Sequence, residues 1–162
     1  MNNELHTSLL MTLKESATNA YNAFSVAYEK LNENKEESKK RFIEIIKSSD
    51  FLLSSMDYYM HLFKDIDTSE DILYVSQIIT LLIKASHNLI VIAKSDNNDK
   101  EIDLYDKKKE SYKDLLYFYY LLGEDNVKLQ PILDAFIKDT GVGESNILAG
   151  YTKYNEFMKE SN

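Results

Sequence analysis

The stretch Ile72 to Ala93, ILYVSQIITLLIKASHNLIVIA, constrains this chain more than any other. Lys84 is its only formal charge, and apolar residues fall on every side of a helical wheel. A helix that is apolar all round must be enclosed by other elements, so the segment predicts the central helix of a bundle. Gln77, Lys84, Ser86, His87 and Asn88 interrupt it, and its longest uncharged run is Ile72 to Ile83. That run is well short of the ~20 apolar residues a membrane span needs.

The rest of the chain supplies the partners. Leu5, Leu9, Leu13, Ala17, Ala20, Tyr21, Phe24, Tyr28 and Leu31 recur at steps of three and four, predicting a first helix from about Asn3 to Leu31. Asn34 followed by Glu37 has the spacing of a helix N-terminus. A second helix, about Lys35 to Asp65, carries the seam Phe42, Ile45, Ser49, Leu52, Met56, Tyr59, Phe63 and Ile66. The short turn Asp67-Thr68-Ser69 folds it into an antiparallel hairpin with the central helix. Asn98 and Glu101 repeat the capping spacing and open a fourth helix, about Lys100 to Leu122. Its second half, LLYFYYLL, is apolar all round, and Gly123 stands where a left-handed C′ residue belongs. Pro131 opens a short helix to about Asp139, with Ile132, Leu133, Phe136 and Ile137 inward. A last helix, near Ser145 to Lys159, presents Ile147, Tyr151, Tyr154 and Met158.

The expected fold is therefore all-α: an up-down bundle of four long helices with a short two-helix C-terminal extension. With 162 residues, four glycines and one proline, the chain reads as one domain, residues 1–162, without internal repeats.

Several chemistries are disfavoured. The chain has no cysteine, which removes disulfides, thiolate metal sites and thiol catalysis. A formal charge of −8 and a single arginine, Arg41, argue against nucleic-acid binding, which depends on neutralised phosphates and often on Arg at guanine edges. The N-terminus lacks a basic region before its apolar patch, so no signal peptide is expected and the protein is placed in the cytoplasm, off the membrane. Asp57 and His61, one turn apart, have chelating spacing, but His87 falls too far along the opposing helix to join them. No histidine has Glu three residues before it, as ferritin-like sites require. No metal or cofactor is expected. His87 lacks the Lys and Gly that follow a phosphotransfer histidine and reads as a buried, hydrogen-bonded ring. The segment Asp99 to Glu110 imitates a calcium loop but puts Leu104 where glycine is needed, and reads as an exposed charged face. Phosphate-loop, dinucleotide and nucleophile-elbow motifs are absent, which argues against an enzyme.

Two features point to binding. Asp57, Asp65, Asp67 and Glu70 gather near the tip of the second hairpin, with Asp71 beside them, and capping does not account for Asp57 and Asp65. Tyr117, Phe118, Tyr119 and Tyr120 exceed what one core face absorbs, so some lie under the C-terminal helices or on a partner surface. The expectation is a small acidic non-catalytic module that binds a basic or mixed-charge protein, as an inhibitor, immunity or anti-defence protein would. Asp57, Asp65, Asp67, Glu70, Tyr117, Tyr119 and Tyr120 are the candidate contacts. A homodimer closed by the same aromatic patch is the nearest competitor. A bundle holding a small apolar ligand or cofactor between helices, and an enzyme with an unfamiliar polar site, are the alternatives.

Overall fold

The computed structural model describes residues 2–161. Six helices account for the described chain, and no strand occurs among those residues: α1 (Asn2–Lys30), α2 (Lys35–Leu62), α3 (Ser69–Ser95), α4 (Asp99–Gly123), α5 (Gln130–Thr140) and α6 (Glu144–Ser161). The fold is an all-α bundle. Helix α3 is at its centre, packed against α1, α2, α4 and α5, while α6 lies along α4.

Its interior position follows from its composition. Val75, Ile78, Ile79, Leu82, Ala85, Ser86 and Ala93 have no exposed surface, and between Ile72 and Ala93 only Lys84, His87 and Val91 are exposed. Length and hydropathy alone would let Ser69–Ser95 cross a membrane, yet 72% of its apolar window is covered by other helices. Phe42, Ile45 and Met56 of α2, with Phe63 just past its end, are all buried and spaced as one seam, and Phe42 stands edge-on to Phe24 of α1 at 5.5 Å.

The turns are set by local chemistry. The Oδ1 of Asn34 accepts from the Glu37 N–H at 3.1 Å, and the Oδ1 of Asn98 accepts from the Glu101 N–H at 3.2 Å. These are the two N-caps read from the sequence. Just before the second, Asn97 adopts φ 53°, and the Asn98 N–H reaches back to the Ala93 carbonyl at 2.9 Å, closing α3 with a left-handed cap. Lys35 pairs with Asp96, and Lys39 Nζ lies 2.9 Å from Glu101 Oε1. These contacts hold the two turns at that end of the bundle side by side.

Four expectations are corrected. Gly123 is the last residue of α4 and is not left-handed; Gly141, at φ 67°, is the glycine that caps a helix that way. Gly123 instead sits at a close approach, where a Cβ would come 2.7 Å from Leu133 Cδ1 and 3.1 Å from Ile72 Cγ2. In α5 only Leu133 of the four apolar residues is fully enclosed, and Ile132 is 42% exposed. In α6 the inward stripe is Asn146, Gly150 and Phe157, whereas Tyr151 and Met158 face solvent. The amide of Asn146 donates to Asp114 Oδ1 at 2.7 Å and Glu110 Oε2 at 3.0 Å. Gly150 lies against Tyr117, where a Cβ would come within 2.9 Å of the ring. A stripe built on Asn and Gly has no hydrophobic periodicity to detect. Finally, His87 is exposed rather than buried, with Nδ1 3.3 Å from Lys109 Nζ.

Candidate functional site

The α2–α3 turn forms one end of the bundle, and the start of α1 and the α4–α5 link come to the same end. Leu62 closes α2, and Asp65, Asp67 and Glu70 are all exposed around the turn. Asp67 is not a loose charge. Its Oδ1 accepts from the Ser69 hydroxyl at 2.6 Å and from the Ser69 N–H at 3.0 Å. Those two bonds hold the Asp67 carboxyl below its ordinary value.

Ser69 in turn ties this turn to the α4–α5 link. The Asn126 amide donates to the Ser69 hydroxyl at 2.8 Å, and Asn126 Oδ1 accepts from the N–H groups of Lys128 and Leu129, both at 3.0 Å. The link is thereby clamped in one conformation. Clamping turns Val127 outward, 83% exposed, beside the 42% exposed Ile132. A hollow of about 610 Å³ lies between link and hairpin, with Leu73 and Leu129 in its wall and Asp67 and Glu70 on its edge. Glu124 and Asp125 are exposed on the link itself. The result is a small apolar prominence in an acidic surround, with Lys128 the cation in the hollow's lining.

No protein-family model, curated protein or solved structure matches this chain.

The other candidate residues are placed elsewhere. Asp57 lies more than a helical turn before the end of α2 and faces α6, where Lys153 Nζ is 3.7 Å from Asp57 Oδ1. Its neighbour His61 stacks on Phe157 at 4.0 Å and lies 3.1 Å from Glu160. The pair that resembled a chelate thus attaches α6 to α2. Among the described residues no three His, Asp or Glu side chains converge as a metal site would require.

The tyrosine cluster divides. Tyr119 is 1% exposed, a core residue whose hydroxyl burial pushes far above its ordinary value. Tyr117 and Tyr120 stack at 5.1 Å, with Tyr151 of α6 5.8 Å from Tyr117. A hydrogen bond to Asp134 of α5, with burial second, pushes the Tyr120 hydroxyl up to about 12. These rings seat the C-terminal helices, so Tyr117, Tyr119 and Tyr120 do not form an open anchor surface.

Three residues invisible as a site in the sequence emerge here. Val127 and Ile132 belong to the acidic end, and the only signal for Val127 is an isolated apolar residue in the polar run Glu124 to Lys128. The third is His6. Its Nε2–H donates to Asp71 Oδ1 at 2.7 Å, and its ring stands edge-on to Phe63 at 5.0 Å. Asp71 is 1% exposed, and its Oδ2 has no hydrogen-bond partner. Asp71 therefore belongs to the interior, not to the acidic surround.

Proposed function

We propose that this protein is a non-catalytic binding module that engages a basic or mixed-charge protein surface through the end formed by the α2–α3 turn and the α4–α5 link. The observation that carries this reading is Val127, held 83% exposed by a hydrogen-bonded clamp rather than folded inward. An apolar side chain fixed outward loses little conformational freedom on docking, which is the property of an interface anchor. Asp65, Asp67, Glu70, Glu124 and Asp125 around it provide the polar rim and a charge that draws in a cationic partner. A second copy docking through the same end would set acid against acid, so a heterologous partner is favoured over a symmetric dimer.

A photoreactive residue at position 127, with a control at the equally exposed Phe51 of α2 (81%), tests the reading in the native cell. A partner crosslinked from 127 and not from 51 is the expected result. With that partner in hand, neutralising Asp65, Asp67 and Glu70 together slows association and flattens its salt dependence, while Val127→Ser mainly speeds dissociation. A partner whose kinetics ignore both changes would mean that the acidic end is only a solvated surface.

A further inference from the structure

The protein carries −8 overall, yet one of its concavities is basic. A cleft of about 750 Å³ opens between α1, α3, α4 and α5, and its lining includes Lys84, His87, Lys109, Lys113 and Lys138. Asp139 is the one carboxylate in that lining. The cations come from three helices. Lys84 and His87 are one turn apart on α3, Lys109 and Lys113 one turn apart on α4, and Lys138 stands near the end of α5.

Their charge is poorly compensated. Lys113 is 8% exposed, so an ammonium group sits largely out of water. Its one carboxylate partner among the described residues is Glu110, whose Oε1 lies 3.5 Å away while Oε2 accepts from the Asn146 amide at 3.0 Å. Lys109 contacts the His87 ring, itself a potential cation. Lys84 and Lys138 make no ion pair among the described residues. Burial first, then Lys109, Lys94 and Lys113, push the His87 ring below its ordinary value, as a site short of negative charge would. Like charges gathered in a partly dry cleft repel one another and are stabilised when an anion enters.

The opposite wall is aromatic. Phe24 and Tyr28 of α1 line the same cleft and stack at 6.1 Å. Tyr28 is 58% exposed where it lines the cleft. Asn88, 8% exposed, and Thr140 add polar groups between the two walls. The volume falls within the ~300–1,000 Å³ of small-molecule sites.

We propose that this cleft binds a nucleoside phosphate, with the phosphates among Lys84, Lys109, Lys113 and Lys138 and the base against Tyr28 and Phe24. Side chains from three helices do here what a glycine-rich loop does in other nucleotide sites, which is why no phosphate-loop motif marks it. A free phosphate or pyrophosphate shares the anionic half of this chemistry but leaves the aromatic wall unused. The cleft is separate from the acidic end, and the assignment stands independently of the proposed partner surface.

Titration calorimetry of the full-length protein at low salt, with ADP, pyrophosphate and adenosine as the three probes, tests this. ADP binds, pyrophosphate binds about tenfold more weakly or worse, and adenosine gives no heat. Replacing both Lys109 and Lys138 by Gln weakens ADP by about tenfold or more, and Tyr28→Ala weakens ADP without affecting pyrophosphate. In NMR titration, bound ADP raises the His87 pKa against the opposing field of Lys109, Lys94 and Lys113, with Lys84 and Lys138 in the same lining. The other titratable groups of the lining are Asp139 of α5 and Tyr28 of α1, with Glu110 of α4 paired to Lys113. Equal affinity for ADP and pyrophosphate would overturn the ring-bearing ligand. Absence of binding by any probe at millimolar concentration, or ADP binding that leaves the His87 titration and the lysine variants unaffected, would overturn the site.

Discussion

At the scale of single residues, the His6–Asp71 pair is where the chain takes its largest electrostatic risk. A carboxylate 1% exposed with one oxygen unbonded depends on the imidazole for its compensation. His6→Ala strands it, and a stability loss of about 3 kcal/mol in urea unfolding is expected. Asp71→Asn keeps an acceptor for the ring while removing the buried charge, and costs less than about 1 kcal/mol. The pH dependence separates this pair from the surface acids. Burial raises the Asp71 carboxyl above its ordinary 3.8, with His6 opposing that rise. In the window between the two values the folded state holds more protons than the unfolded chain. The Asp71 contribution therefore favours folding at acid pH and is lost as pH rises through the folded value. Asp67, held low by Ser69, works the other way. Its contribution is present above the ordinary carboxylate value and is lost as pH falls through its folded one. Unfolding curves from about pH 3 to 7 should thus show Asp71→Asn gaining on the parent protein as pH rises. Asp67→Asn should lose relative to it over the same change.

At the scale of elements, the attachment of α6 shows how two unassuming residues place a helix. Asn146 satisfies carboxylates on α4, and Gly150 removes the atom that would hold α6 away from Tyr117 and the Phe118 backbone. Alanine is the better helix former by about 1 kcal/mol. Even so, Gly150→Ala is expected to lower stability by about 1 kcal/mol net, because the new Cβ meets the Tyr117 ring at 2.9 Å and the Phe118 nitrogen at 3.2 Å. Chemical denaturation measures this directly, and a stabilised variant would mean that α6 slides at little cost. The acid-rimmed end is likewise a property of a junction between elements. Neither the α2–α3 turn nor the α4–α5 link makes it alone, and the Asn126–Ser69–Asp67 chain of hydrogen bonds joins them.

For the molecule as a whole, the enclosed helix sets the order of stability. Amides of α3 from Val75 to Ile92, a stretch in which only Lys84, His87 and Val91 are exposed, should exchange most slowly with deuterium, close to the rate set by global unfolding. Those of α5, where Leu133 and Thr140 alone are buried, should exchange sooner. A bundle in which α3 exchanged as fast as α5 would contradict the central role of that helix.

The residues by themselves determined six helices, two Asn caps, the antiparallel hairpin and the burial of most of Ile72 to Ala93. Each of these rests on contacts within a few turns or on a periodicity that any helical partner would satisfy. Only the tertiary structure decided which side chains share a surface. It turned Asp57 toward Lys153, away from the acidic end, drew Tyr119 into the core, and brought Lys84, Lys113 and Lys138 to one cleft from positions far apart in sequence. It also made Asn146 and Gly150 an inward stripe and left Tyr151 outside. The physical reason is common to these cases. Periodicity reports which face of a helix is apolar, whereas a site depends on which helix lies opposite and at what register. That register is set here by close approaches and buried hydrogen bonds whose residues carry no hydrophobic signal.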